Sequence, residues 1–166
     1  MCAIHQLKGG DHDKLSKLDE KFKMKIGIAS DHAGFQLKEK LKSELKRKGI
    51  DITDYGTKSE ESCDYPDFAH PLAISINNEN ELGIAICGSG NGINMTLNKH
   101  PHIRSAIVWN KELSELARQH NNANVITIPA RFVDFDTALE SVKVFIETDF
   151  EGGRHQRRVE KISINK

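Results

Sequence analysis

A chain of 166 residues suits one domain with a little left over, at roughly 150 residues per domain. Lys and Arg total 24 and Asp and Glu total 24, so there is no basic excess to draw the chain onto nucleic acid or a membrane surface. Apolar residues make up 37% and mean hydropathy is −0.53, an ordinary soluble globular profile. No apolar run approaches the ~18 residues of a membrane span, and the N-terminus lacks the apolar stretch of a secretory signal. Cys2, Cys63 and Cys87 are too few and too irregular for a disulfide framework or a zinc site, which points to a reducing, cytoplasmic setting.

Residues 1–23 form a polar leader with Gly9-Gly10 and no sustained period. Segments of this kind are usually poorly ordered, so the domain is expected to span 24–166. Strands are expected over 25–30, 51–55, 82–87, 104–109 and 125–128. Helices are expected over 34–48, 66–77, 92–99, 111–120 and 134–148, and a last amphipathic helix over 154–164 after Gly152-Gly153. Leu37, Leu41 and Leu45 mark a helical face, whereas Leu82–Cys87 is apolar almost throughout, as a strand buried on both sides must be. Strands alternating with helices mean right-handed βαβ units. The expected fold is α/β: a doubly wound, Rossmann-like, five-stranded parallel sheet with helices on both faces. Ligands bind such sheets beyond the C-terminal ends of the strands.

The residues after each strand therefore matter most. Cys87-Gly88-Ser89-Gly90-Asn91-Gly92 is the strongest local signal. Alternating glycines between a buried strand and a helix let backbone N–H groups converge on an anion, either a phosphate or an oxyanion formed during catalysis. Ile93 stands where a dinucleotide fingerprint needs glycine, and no Gly-Lys-Ser/Thr follows, so neither nucleotide motif fits. A tight turn using glycine for geometry alone is the plain alternative. Cys87, at the mouth of this turn, is a candidate nucleophile or base, or else a small apolar end to a strand.

Asp31-His32 follows the first strand, where a carboxylate beside an imidazole suits acid–base work and an N-cap Asp is the bland reading. His120 ends the fourth helix, a position that favours a cation whatever its function. Arg154 and Arg158 lie four apart and share a helical face, forming a phosphate clamp or a solvated basic patch. Cys63 in a polar loop and Cys2 in the leader read as bystanders. All these groups, the end of the fourth helix and the Arg cluster included, are expected on one rim.

Five ordered motifs make the chain recognisable: Asp31-His32-x-Gly34-Phe35, Asp64-Tyr65-Pro66, the Cys87–Gly92 turn, Arg118-Gln-His120-Asn121-x-x-Asn124, and Gly152-Gly-Arg154-His-x-x-Arg158. From Met24 to about Ile164 the chain resembles the ribose-5-phosphate isomerase B (RpiB/LacAB) family of sugar-phosphate isomerases. The resemblance implies an aldose–ketose isomerase converting ribose 5-phosphate to ribulose 5-phosphate in pentose phosphate metabolism, with no metal or other cofactor. It implies Cys87 as the base that moves a proton between C1 and C2 through a cis-enediolate. Ser89 with Gly88, Gly90, Asn91 and Gly92 would hold the enediolate oxygens, and His120 would open the sugar ring. Asp31, His32, Tyr65 and Asn121 would contact the sugar, and Arg131, Arg154 and Arg158 would grip the phosphate. The resemblance further implies a homodimer with sites built across the interface, His120 and Arg131 serving the partner's site. A six-carbon substrate such as allose 6-phosphate or galactose 6-phosphate is an open alternative, as is a non-catalytic sugar-phosphate-binding module, which would not need Cys87 or His120.

Overall fold

Period-two alternation along the strands divides the molecule into two apolar layers about a parallel sheet. A computed structural model describes residues 24–164, so the expectation for the leader lies outside the described residues. In chain order the elements are β1 (Lys25–Ser30), α1 (Phe35–Arg47), β2 (Asp51–Asp54), α2 (Pro66–Ser75), β3 (Leu82–Cys87), α3 (Asn91–Leu97), β4 (Ser105–Ile107), α4 (Lys111–Asn121), β5 (Val125–Pro129), α5 (Phe135–Glu147) and α6 (Arg154–Val159). The strands run β2-β1-β3-β5-β4, and every pairing is parallel.

On one face, Ile26, Ile28, Ile84, Ile86, Ile126 and Ile128 pack with Leu41 and Leu45 of α1, Ala117 of α4 and Val142 and Phe145 of α5. On the other, Ala29, Ala85, Cys87 and Val125 pack with Leu72 of α2 and Ile93 and Leu97 of α3. Each fully buried large side chain contributes on the order of 1.5–3 kcal/mol. The five-stranded doubly wound architecture is as expected.

Several boundaries differ from the sequence reading, among them those of α2, β4 and α6. α2 stops at Ser75 because Ile76 turns extended and bridges Asn80, with Asn77 at φ 68° between them. β4 shortens to Ser105–Ile107 because it is an edge strand with β5 as its only neighbour in the sheet. α6 ends at Val159, after which the amides of Lys161 and Ile162 bond three residues back, to Arg158 and Val159, as turns.

Helix direction decides where the site residues fall. α4 starts beyond the C-terminal end of β4, where the Asn110 side chain accepts from the Leu113 amide at 2.9 Å. Its 11 residues rise about 16 Å and end at the opposite edge of the sheet. There Arg104, which leads into β4, donates its Nε to the Asn122 carbonyl at 2.8 Å and accepts from the Asn124 amide at 3.1 Å.

Candidate active site

β1 and β3 are neighbours whose chain connections leave in opposite directions, so a crevice opens beyond their C-terminal ends. Asp31 lies on one side of it. Its amide donates to the Ile86 carbonyl at 3.1 Å, and its carboxylate accepts from the Gly34 amide at 3.0 Å, so the side chain is buried and fixed. His32, next along, has its Nδ1 3.3 Å from both the amide nitrogen and the carbonyl oxygen of Cys63. Cys63 therefore supports the imidazole, a contact 31 residues apart that no local pattern announces.

Cys87 closes β3 on the other side of the crevice and is 4% exposed. The chain then turns through Gly88, Ser89 and Gly90. Gly90 caps α3 at φ 78°, a left-handed conformation that L side chains rarely adopt. At Gly92, a Cβ would lie 2.5 Å from Cζ and 2.9 Å from Oη of Tyr65, so the phenol lies directly across the start of α3. Ser89 and Asn91 are exposed at the turn, and the Asn91 amide points to Ser89 Oγ at 3.4 Å. They also line a cleft of about 460 Å³ with Ile107, Trp109, Pro129 and Phe132.

Arg131 belongs to this same edge. The Ala130 amide donates to the Cys87 carbonyl at 2.9 Å and the Arg131 amide to the Gly88 carbonyl at 3.1 Å. A Cβ built on Gly88 would lie 3.3 Å from Arg131 Nε. Within one chain, β5 pairs with β3 in register Cys87↔Pro129, and this pairing sets Arg131 beside the turn that follows Cys87.

The single expected rim is also corrected. His120 and Asn121 end α4 at the opposite edge of the sheet from Cys87, beside the start of β4. α6 joins them there: the Glu151 amide donates to the Gln119 carbonyl at 3.1 Å, and the His155 ring stacks on that of His120 at 4.2 Å with 6° between planes. Arg154 and Arg158 are exposed on the same short helix. Each chain thus carries two separated groups, one with Asp31, His32, Tyr65, the Cys87–Gly92 turn and Arg131, the other with His120, Asn121, Arg154 and Arg158.

His120, Glu151 and His155 also bring three potential metal-ligating atoms within 4.8 Å of one another. The ring geometry argues against shared coordination. Imidazole lone pairs lie in the ring planes, and two parallel planes offer no point that lies in both at the ~2.0–2.1 Å of a Zn–N bond.

Residues 26–162 match the Ribose/Galactose Isomerase family. The chain belongs to this family. Ribose-5-phosphate isomerase B of Escherichia coli strain K12 is 39% identical over 140 residues, covering 84% of this chain and 94% of that protein. A solved ribose 5-phosphate isomerase of Thermotoga maritima superposes with TM-score 0.83 at 48% identity, covering 84% of this chain and 97% of that one. A second structure, ribose-5-phosphate isomerase B of Mycoplasma genitalium with bound ribulose-5-phosphate, gives TM-score 0.79 and 42% identity over 83% and 93% of the two chains. Aldose–ketose isomerisation needs a base beside two adjacent carbons, donors for a developing oxyanion, an acid–base group for ring opening and cations for a phosphate.

Proposed function

We propose that this protein is an aldose–ketose isomerase interconverting ribose 5-phosphate and ribulose 5-phosphate, with Cys87 as the proton-transfer base. One observation carries the reading: the thiol ends a buried central strand at the mouth of the Gly88–Gly92 turn, with Arg131 against the same turn. The 42% identical Mycoplasma genitalium relative with bound ribulose-5-phosphate supports the substrate.

The Cys87 thiolate removes the C2 proton of the open-chain aldose. The electron pair forms C1=C2, and O1 takes the negative charge beside the amides of the turn and the Ser89 hydroxyl. A proton passes from O2 to O1, C2=O2 forms, and Cys87 returns its proton to C1. Donors fixed in advance where charge develops are the efficient way to stabilise such an enediolate. Asp31, His32, Tyr65 and Asn121 orient the hydroxyls. No step calls for a metal or other cofactor.

The two groups on one chain cannot meet, so we further propose a homodimer in which the Cys87 edge of one copy faces the His120 edge of the other. Each site then takes Asp31, His32, Tyr65, Cys87 and Arg131 from one protomer, and His120, Asn121, Arg154 and Arg158 from its partner. Trp109 and Phe132, 55% and 74% exposed beside the turn, are apolar surface that a second copy would cover. In this reading residues 24–166 carry the isomerase domain, residues 1–23 lie outside it, and the free Cys63 and Cys87 suit a reducing cytoplasm. Among the described residues no helix is long and apolar enough to cross a membrane.

The test is turnover of ribose 5-phosphate against allose 6-phosphate. Faster turnover of the five-carbon substrate is expected. Preference for allose 6-phosphate would move the assignment to a six-carbon sugar, and binding of both without turnover would leave a sugar-phosphate-binding module.

A further inference from the structure

The structure sets a carboxylate and a second imidazole around His120. Glu151 Oε2 lies 4.0 Å from His120 Nε2 and 3.5 Å from His155 Nε2. The Arg154 Nε–H donates to His155 Nε2 at 3.3 Å, so that nitrogen carries a lone pair and has no proton to offer the carboxylate. His155 is buried, and burial, with His120 and Arg154 close by, pushes its imidazole below the ordinary histidine value. A neutral His155 is a flat plate against which His120 stacks. The carboxylate then has one imidazole left to receive a proton from, His120. The charged groups that act on His155 beside His120 are Arg154, Glu151 and Arg158.

We propose that Glu151 and His155 are positioning residues for His120, the first holding its Nε2–H and the second fixing its ring plane. The inference rests on the ring-opening role of His120 and adds what orients it. With Nε2–H held by Glu151, Nδ1 is the nitrogen that exchanges a proton with the sugar. The anomeric hydroxyl gives its proton to Nδ1, the C1–O4 bond breaks as C1=O1 forms, and the same proton is returned to O4. All three residues belong to one chain, so the cluster is complete in each protomer before it meets the partner's Cys87 edge. Glu151 is half exposed and its backbone is tied to Gln119, so the carboxylate can close the last ångström towards His120 without moving the chain.

Ring opening can be read apart from isomerisation as the exchange of the two ribose 5-phosphate anomers, measured by magnetisation-transfer NMR on the full-length protein in a Cys87→Ala background. The Cys87→Ala protein is expected to accelerate anomer exchange. Adding Glu151→Gln should cut that acceleration by at least about tenfold, a fraction of the ~10²–10⁴ a positioned acid–base group contributes, while ribose 5-phosphate affinity stays within about twofold. Glu151→Asp, which keeps the charge, should retain part of it. Undiminished exchange with Glu151→Gln overturns the positioning role. If His120→Ala in the same background leaves exchange unchanged, the ring-opening reading itself fails, and the inference fails with it. A loss of affinity matching the loss of exchange would make Glu151 a folding or binding residue and overturns the inference as well.

Discussion

The Ala130 amide bonds to the Cys87 carbonyl across 2.9 Å, so the register between β3 and β5 delivers the thiol and the Arg131 guanidinium to one edge of the sheet. That pairing lies at the centre of the sheet, with β1 on one side and β4 on the other. Local fraying that would separate base from cation is therefore disfavoured. The Cys87 group is built on strand ends, whereas the His120 group is built on helix ends.

Cys87→Ala should lower kcat by about 10²–10⁴-fold, the usual contribution of a positioned base, with little change in substrate affinity. The side chain is 4% exposed and packs with Ala29 and Ile93, and the change removes only the sulfur, so the apolar layer stays nearly filled. Steady-state kinetics with a parallel binding titration checks this. Retention of full kcat would remove Cys87 from the proton transfer.

Much of the sheet and the glycine turn after Cys87 were legible in the sequence, for a physical reason. A parallel strand must be apolar on both faces, so Leu82–Cys87 stands out, and a left-handed turn needs glycine, so Gly90 does too. The partition between edges is not legible in the sequence, because lying near an element's end does not say which edge of the sheet that end reaches. A helix after a strand runs back across the sheet, so Asn110 and His120 bracket one helix yet lie at opposite edges. Glu151 and His155 had their i, i+4 spacing in plain view, but the stacking of His155 on His120 is a contact between separate segments. The same holds for Cys63 against His32.

Away from the site, Lys38 is the largest fully buried side chain. Its ammonium bonds Asp54 Oδ2 at 2.6 Å and Glu39 Oε1 at 2.7 Å, and Lys42 adds a 2.5 Å bond to the same Asp54 oxygen. Burial works against a charged Asp54, but the bonds from Lys38, Lys42 and the Gly56 amide together outweigh it and hold the carboxyl below its ordinary range. Asp54→Ala should cost about 3 kcal/mol at neutral pH, because it leaves a buried cation short of a partner. The folded-state pKa is depressed, so this stabilisation is present above the unfolded value of about 4 and lost as pH falls through the folded one. Urea unfolding at pH 7 and at progressively lower pH below 4 should show the gap between the two proteins narrowing. A gap that persists or widens in acid would mean that the ion pair is not its source.

If each site draws Cys87 from one protomer and His120 from the other, two inactive proteins should repair one another. In a heterodimer of Cys87→Ala with His120→Ala, one site combines both lesions and the other combines neither. Random exchange of equal amounts makes half of the dimers mixed, each with one intact site in two, so activity should rise to about a quarter of wild type. The rise should follow the rate of subunit exchange, seen by mixing the proteins and assaying ribose 5-phosphate turnover over time. A site contained within a single chain would leave every site in the mixture with one lesion, and activity would stay at the level of the separate variants. The experiment separates these cases because the two residues lie at opposite edges of the same sheet, too far apart for one chain to bring them together without unfolding α4.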